Sequence, residues 1–115
     1  MRIRTVSAAV ISGLALLAVV PGSASAAEGQ FRYTYKTTEG YEAVGFLNDP
    51  RSGKCINLNG VGSDTLPPGH SPKNRTDRTA TVFLHANCAG GEYFSLRPHT
   101  GGGSERLKVR SVVFS

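Results

Sequence analysis

The sequence predicts an all-β fold, a small antiparallel β-sandwich closed by one disulfide. Three observations carry this. Beyond residue 26 no stretch spaces its apolar residues at helical intervals for more than a turn, whereas several alternate apolar and polar side chains at period two, as a half-buried strand does. Turn formers recur at short intervals, with 14 glycines and 6 prolines in 115 residues. Just two cysteines, Cys55 and Cys88, are present, so only one pairing exists.

The first 26 residues stand apart. Arg2 and Arg4, the uncharged run from Ala8 to Val20 and the closing Ala24-Ser25-Ala26 have the layout of a secretory signal peptide. That run is 13 residues long, short of the roughly 20 that a spanning helix needs. Cleavage after Ala26, a secreted extracellular product and no membrane span are therefore expected. The remaining 89 residues, 27–115, make one domain, and losing Arg2 and Arg4 lowers the formal charge from +5 to +3. A chain this short excludes a multidomain protein, a channel and a dinucleotide-binding enzyme, whose βαβ units need more length. In an oxidising exterior Cys55 and Cys88 are expected to pair. Closing the 33-residue loop between them contributes roughly 3.7 kcal/mol in the chain-entropy account.

Within the domain, Phe31-Arg32-Tyr33-Thr34-Tyr35-Lys36 alternates rings with polar side chains and places three aromatics on one face. Thr38-Glu39-Gly40 supplies a turn, and Tyr41 to Leu47 returns as the partner, giving a hairpin over 31–45. Asn48 to Gly53 is a cluster of turn formers, and Lys54 to Leu58 is a short strand. From Asn59 to Pro72 the density of glycine and proline predicts a long loop. Thr79 to His85 is rich in β-branched and aromatic residues and reads as a strand, as does Glu92 to Leu96. Pro98 to Ser104 is a second flexible loop. Leu107 to Phe114 closes the chain as one strand, with a bulge near Ser111 to explain the shift in its alternation.

A weak internal repeat runs through these elements. Phe46, Gly53 and Ser71 in one copy match Phe83, Gly90 and Ser111 in the other, with the glycine seven residues after the aromatic in both. The aromatic would cover a tight corner, the glycine would take a positive φ there, and the serine would bond back to it. At these residues the chain resembles the β/γ-crystallin Greek-key motif. The second motif, about 79–115, is the better match, and the first, about 43–75, is degenerate. Cys88 and Arg51 stand where that family carries a second aromatic. The resemblance implies a sandwich of two Greek keys with the hairpin as an addition. The arrangement is also similar to small secreted actinobacterial proteins, among them metalloproteinase inhibitors of crystallin-like fold.

No motif supports catalysis. Ser104 lacks a nucleophile-elbow frame, no phosphate loop ends in Lys-Ser/Thr, and the eight acids form no obvious pair. The segments ending at Ser71 and Ser111 supply no carboxylate, so the calcium site of many crystallin-like domains is not expected, and Asn48 to Gly53 reads as a solvated turn. His70, His85 and His99 are too widely spaced for a compact ligand motif and read as isolated surface residues. Asn74-Arg75-Thr76 is formally a glycosylation sequon, read as a loop asparagine. No cofactor is expected.

Two features suggest a binding role. Arg106, Lys108 and Arg110 recur at period two and would share one strand face, with Lys73, Arg75 and Arg78 as a second basic group. Such a stripe would attract an anionic cell-wall surface or an acidic extracellular protein. Nucleic acid is disfavoured because no aromatic interleaves with these bases. Secondly, the 59–72 loop, stiffened at Leu66-Pro67-Pro68 and bracketed by the disulfide, would suit a proteinase inhibitor. The expectation is a monomeric, noncatalytic binding protein, with the inhibitor as its alternative.

Overall fold

The computed structural model describes residues 25–101 and 104–115. The expected signal peptide lies outside them, apart from Ser25 and Ala26, which run beside Ser52 and Arg51. In chain order the strands are β1 (Gly29–Lys36), β2 (Glu42–Asn48), β3 (Ile56–Asn57), β4 (Gly69–Thr76), β5 (Ala80–Phe83), β6 (Tyr93–Leu96), β7 (Thr100–Gly101), β8 (Lys108–Val109) and β9 (Ser111–Phe114). They form two antiparallel sheets, ordered β2-β1-β4-β7 with β8 also on β4, and β3-β9-β5-β6.

The alternation in β1 decides what fills the space between the sheets. Phe31 and Tyr33 point inward and are fully buried, while Arg32 and Thr34 point the other way. Phe31 meets Phe114 of β9 edge to face, with ring centroids 5.6 Å apart, and so joins the two sheets. Ala27, Leu58, Val61, Ala80, Val82, Val109 and Val112 complete the core. Burying a ring of this size stabilises by about 2–3 kcal/mol. Gly45 is paired with Tyr33, and any side chain there would collide with the Tyr33 ring. The hairpin is no appendage, since β1 lies between β2 and β4.

Two expectations are corrected. The loop after Asn59 ends at Pro68, because residues 69–72 open β4, an interior strand. Proline is tolerated there through a bulge: the pairing changes from Arg32 with Lys73 to Thr34 with His70, so Ser71 and Pro72 together face Tyr33. Ser71 takes φ 54° to make room. Secondly, the closing segment is not one bulged strand. β8 pairs with β4 in the larger sheet, and β9 pairs with β3 and β5 in the smaller one. The chain changes sheets at Arg110, whose N–H donates to Phe83 O at 2.9 Å and whose carbonyl accepts from Leu58 N at 3.0 Å. The shift in alternation is a change of sheet. The Pro98–Ser104 loop also contributes a short strand, β7.

Cys55 and Cys88 form the expected disulfide, with Cα atoms 6.0 Å apart. Beside it Asn57 and Asn87 exchange two hydrogen bonds, of 2.9 and 2.7 Å. In the second repeat copy Gly90 has φ 83°, and the Ser111 hydroxyl donates to His85 O at 2.6 Å while accepting from Cys88 N at 2.8 Å. That serine closes its corner as expected. In the first copy Gly53 also has a positive φ, but Ser71 lies against His70 Nδ1 at 2.8 Å and does not return to the corner.

Candidate anion-binding face

The proposed stripe of Arg106, Lys108 and Arg110 does not exist as one exposed row. Arg106 and Lys108 are exposed. Arg110, at the change of sheet, turns inward with its side chain 12% exposed. Its guanidinium donates to Ser63 O at 3.2 Å, Leu84 O at 2.8 Å and Leu66 O at 2.7 Å, and Nε lies 3.8 Å from Asp64. A planar fork with five donors suits this clamp on three carbonyls. Arg110 is a structural residue.

Lys108 belongs instead to a larger basic face that the strand pairing assembles. On the outer side of the larger sheet one row reads Val44, Thr34, His70, Lys108, the next Phe46, Arg32, Lys73, Gly101, and the next Asn48, Gln30, Arg75. The bulge is what makes this face continuous. With one extra residue at Ser71, His70 and Lys73 both point outward, although three positions apart in a strand would otherwise oppose them. Lys73 and Arg75 are exposed, while Pro72, Asn74 and Thr76 between and beside them are buried. The basic pair Lys73 and Arg75 is thereby joined to Arg32 and Lys108 from two other strands, a grouping that sequence spacing alone does not display.

Among the described residues, none of Arg32, Lys73, Arg75 and Lys108 has a carboxylate within salt-bridge distance. The exposed ring of Phe46, 51% accessible, lies beneath the Arg32 guanidinium, 5.7 Å from it. Two shallow hollows indent the face. One, about 320 Å³, is bordered by Lys73, Arg75, His99, Thr100 and Gly101. The other, about 200 Å³, is bordered by Arg32, Tyr33, Thr34, Val44, Ser71 and Lys73.

The segment Leu66-Pro67-Pro68 lies elsewhere. Leu66 and Pro67 border a cleft of about 620 Å³ with Tyr35, Gly60 and the hairpin turn. Pro67 is exposed, and Leu66 and Pro68 are half-buried. The loop is tightly held, by Tyr33 Oη donating to Asn59 O at 2.7 Å and by the Arg110 clamp.

His85 is not isolated. Its Nδ1 lies 3.6 Å from Asp64 and its Nε2 3.3 Å from Glu92. The carboxylates flank opposite edges of the ring and do not converge on a point where one ion could sit. The Ala86 N–H at 3.0 Å, with help from His85 and Arg110, holds the Asp64 carboxyl below its ordinary value. Among the described residues no group of three or more His, Cys, Asp or Glu side chains is arranged to hold a metal. No described helix is long and apolar enough to cross a membrane.

Asn74 of the formal sequon is not in a loop. It is fully buried in β4, and its amide nitrogen donates to Arg78 O at 2.7 Å, Leu96 O at 3.0 Å and Arg97 O at 3.2 Å. Compared with family models, with characterised proteins and with solved structures, the chain shows no significant match to any.

Proposed function

We propose that this is a noncatalytic binding domain of the cell exterior that holds an anionic partner on the outer face of its larger sheet. The observation that carries the reading is the group Arg32, Lys73, Arg75 and Lys108, brought onto one face from three strands with no ion pair to a carboxylate among the described residues. Unneutralised cations on a surface attract polyanions and lose that attraction as salt screens them. The signal-like leader and the disulfide support the exterior location. Kinship with crystallin-like Greek-key domains is supported by the Ser111 corner of the second copy.

The test is retention on isolated cell walls across a salt series. Lys73→Glu and Arg75→Glu should release the protein at lower salt, whereas Lys54→Glu, an exposed residue outside the face, should not. Retention that is indifferent to salt or to both face variants would defeat the reading.

A second reading, proteinase inhibition by the loop from Asn59 to Pro68, is favoured by the rigidity that Arg110 gives Leu66-Pro67-Pro68. It ranks lower because the carbonyls of Ser63 and Leu66 are already engaged and unavailable to an enzyme cleft. Stoichiometric loss of metalloproteinase or subtilisin activity, abolished by deleting residues 66–69, would establish it.

A further inference from the structure

Resting on the anionic-partner reading, we infer that the ligand class is an extended phosphodiester-linked polyol polymer laid along β4. Arg32, Lys73 and Arg75 lie on the two interior strands of the sheet, β1 and β4. His70, Lys73 and Arg75 follow one another on the outer side of β4, with Arg32 on the neighbouring β1 and Lys108 on β8. Same-face neighbours along a strand are roughly 7 Å apart and adjacent strands about 5 Å apart. A polymer carrying one phosphate per short polyol unit presents charges at a comparable interval.

The location separates this ligand from an acidic peptide. A peptide strand gains affinity by pairing its N–H and C=O groups with a sheet edge, whereas β4 is interior, between β1 on one side and the short strands β7 and β8 on the other. Laid on the face, it would leave those groups unpaired, which is costly when they lose water. A polyol phosphate has no amides to satisfy. Its hydroxyls and phosphate oxygens meet side-chain partners that the same rows supply, among them Gln30, Thr34 and Asn48.

The hollows add a second, independent feature, repetition. Both are bordered by Lys73, the larger adding Arg75 and the smaller adding Arg32. Two adjoining depressions that share a cation, each with a second of its own, fit successive units of a repeating chain. Nucleic acid would need rings on which bases stack. The exposed ring on this face, Phe46, already has Arg32 over it.

The test measures equilibrium binding of the purified protein to poly(glycerol phosphate), to poly-glutamate and to single-stranded DNA, at low and moderate salt. The glycerol phosphate polymer should bind tightest, and Lys73→Gln should weaken it about tenfold, the equivalent of one lost charge-assisted contact. Arg75→Gln and Arg32→Gln should each act in the same direction, and Lys54→Gln should have no effect. Equal or tighter binding of poly-glutamate or DNA, still lost in Lys73→Gln, would overturn the ligand class while sparing the anionic face. No salt-sensitive binding of any of the three, or binding unchanged in the face variants, would overturn both.

Discussion

Arg110 and Leu66 are separated by 44 residues of chain, yet the arginine Nη2 donates to the leucine carbonyl at 2.7 Å. The same guanidinium reaches Ser63 O and Leu84 O, so one side chain at the change of sheet binds the long loop to the end of β5. Arg110→Ala should therefore destabilise the domain by about 2–4 kcal/mol, because three carbonyls lose a charged donor at once. Arg110→Lys should fall between, having no planar fork to serve all three. Urea unfolding measures both. A loss as small as that of an exposed basic residue would show the clamp to be unimportant.

Asn74 plays the corresponding part in β4. Its amide donates to three carbonyls, and its Oδ1 accepts from Thr76 N at 3.1 Å and from the Thr76 hydroxyl at 2.6 Å. Asn74→Asp puts an acceptor against those three carbonyls and should cost about 3 kcal/mol or more, whereas Thr76→Ala, which leaves the amide's donors in place, should cost less. The same burial predicts that the sequon stays unmodified in the folded protein. Expression in a glycosylating host should give no mass gain that Asn74→Gln removes.

The sandwich was legible because β1, β5 and β9 bury rings and β-branched side chains that alternate or cluster in the sequence. β4 was not, because Gly-His-Ser-Pro-Lys-Asn-Arg-Thr contains no aliphatic side chain and its buried positions are Gly69, Pro72, Asn74 and Thr76. One signal was present: neutral Pro72, Asn74 and Thr76 alternate with charged Lys73 and Arg75. Period-two alternation of charge marks a strand as surely as alternation of hydrophobicity when the inward polar groups satisfy one another. The basic face was hidden with β4, since Lys73 and Arg75 acquire their neighbours Arg32 and Lys108 through strand pairing. Arg110 misled for the opposite reason. Its spacing from Lys108 suggested a shared face, but the chain leaves one sheet for the other at that residue.

Asp64 predicts an acid-side dependence. The Ala86 N–H, followed by the nearby His85 and Arg110, depresses its carboxyl below the ordinary 3.8. A carboxyl with a lower pKa in the folded chain contributes stability above its unfolded value, and that contribution is lost as pH falls through the folded value. Asp64→Asn should thus be less stable than the parent near neutrality, with the difference fading once the pH drops below the carboxylate range. Unfolding midpoints across that range decide it, and a difference independent of pH would contradict the assignment.

Tyr33 predicts the alkaline counterpart. Burial, followed by the neighbouring Tyr35, pushes its phenol from 10.0 up to about 12, and the hydroxyl donates to Asn59 O at 2.7 Å. The neutral phenol is the form the fold favours, so its contribution is complete below pH 10 and disappears as pH rises through about 12. Ultraviolet titration of the folded protein should show one of the four tyrosines ionising later than it does after unfolding. Tyr33→Phe should cost about 1 kcal/mol at neutral pH for the lost hydrogen bond. It should also lose less stability than the parent between pH 10 and about 12, because it has no buried phenol to ionise. Parallel decay of the two proteins over that interval would mean that another group governs alkaline unfolding.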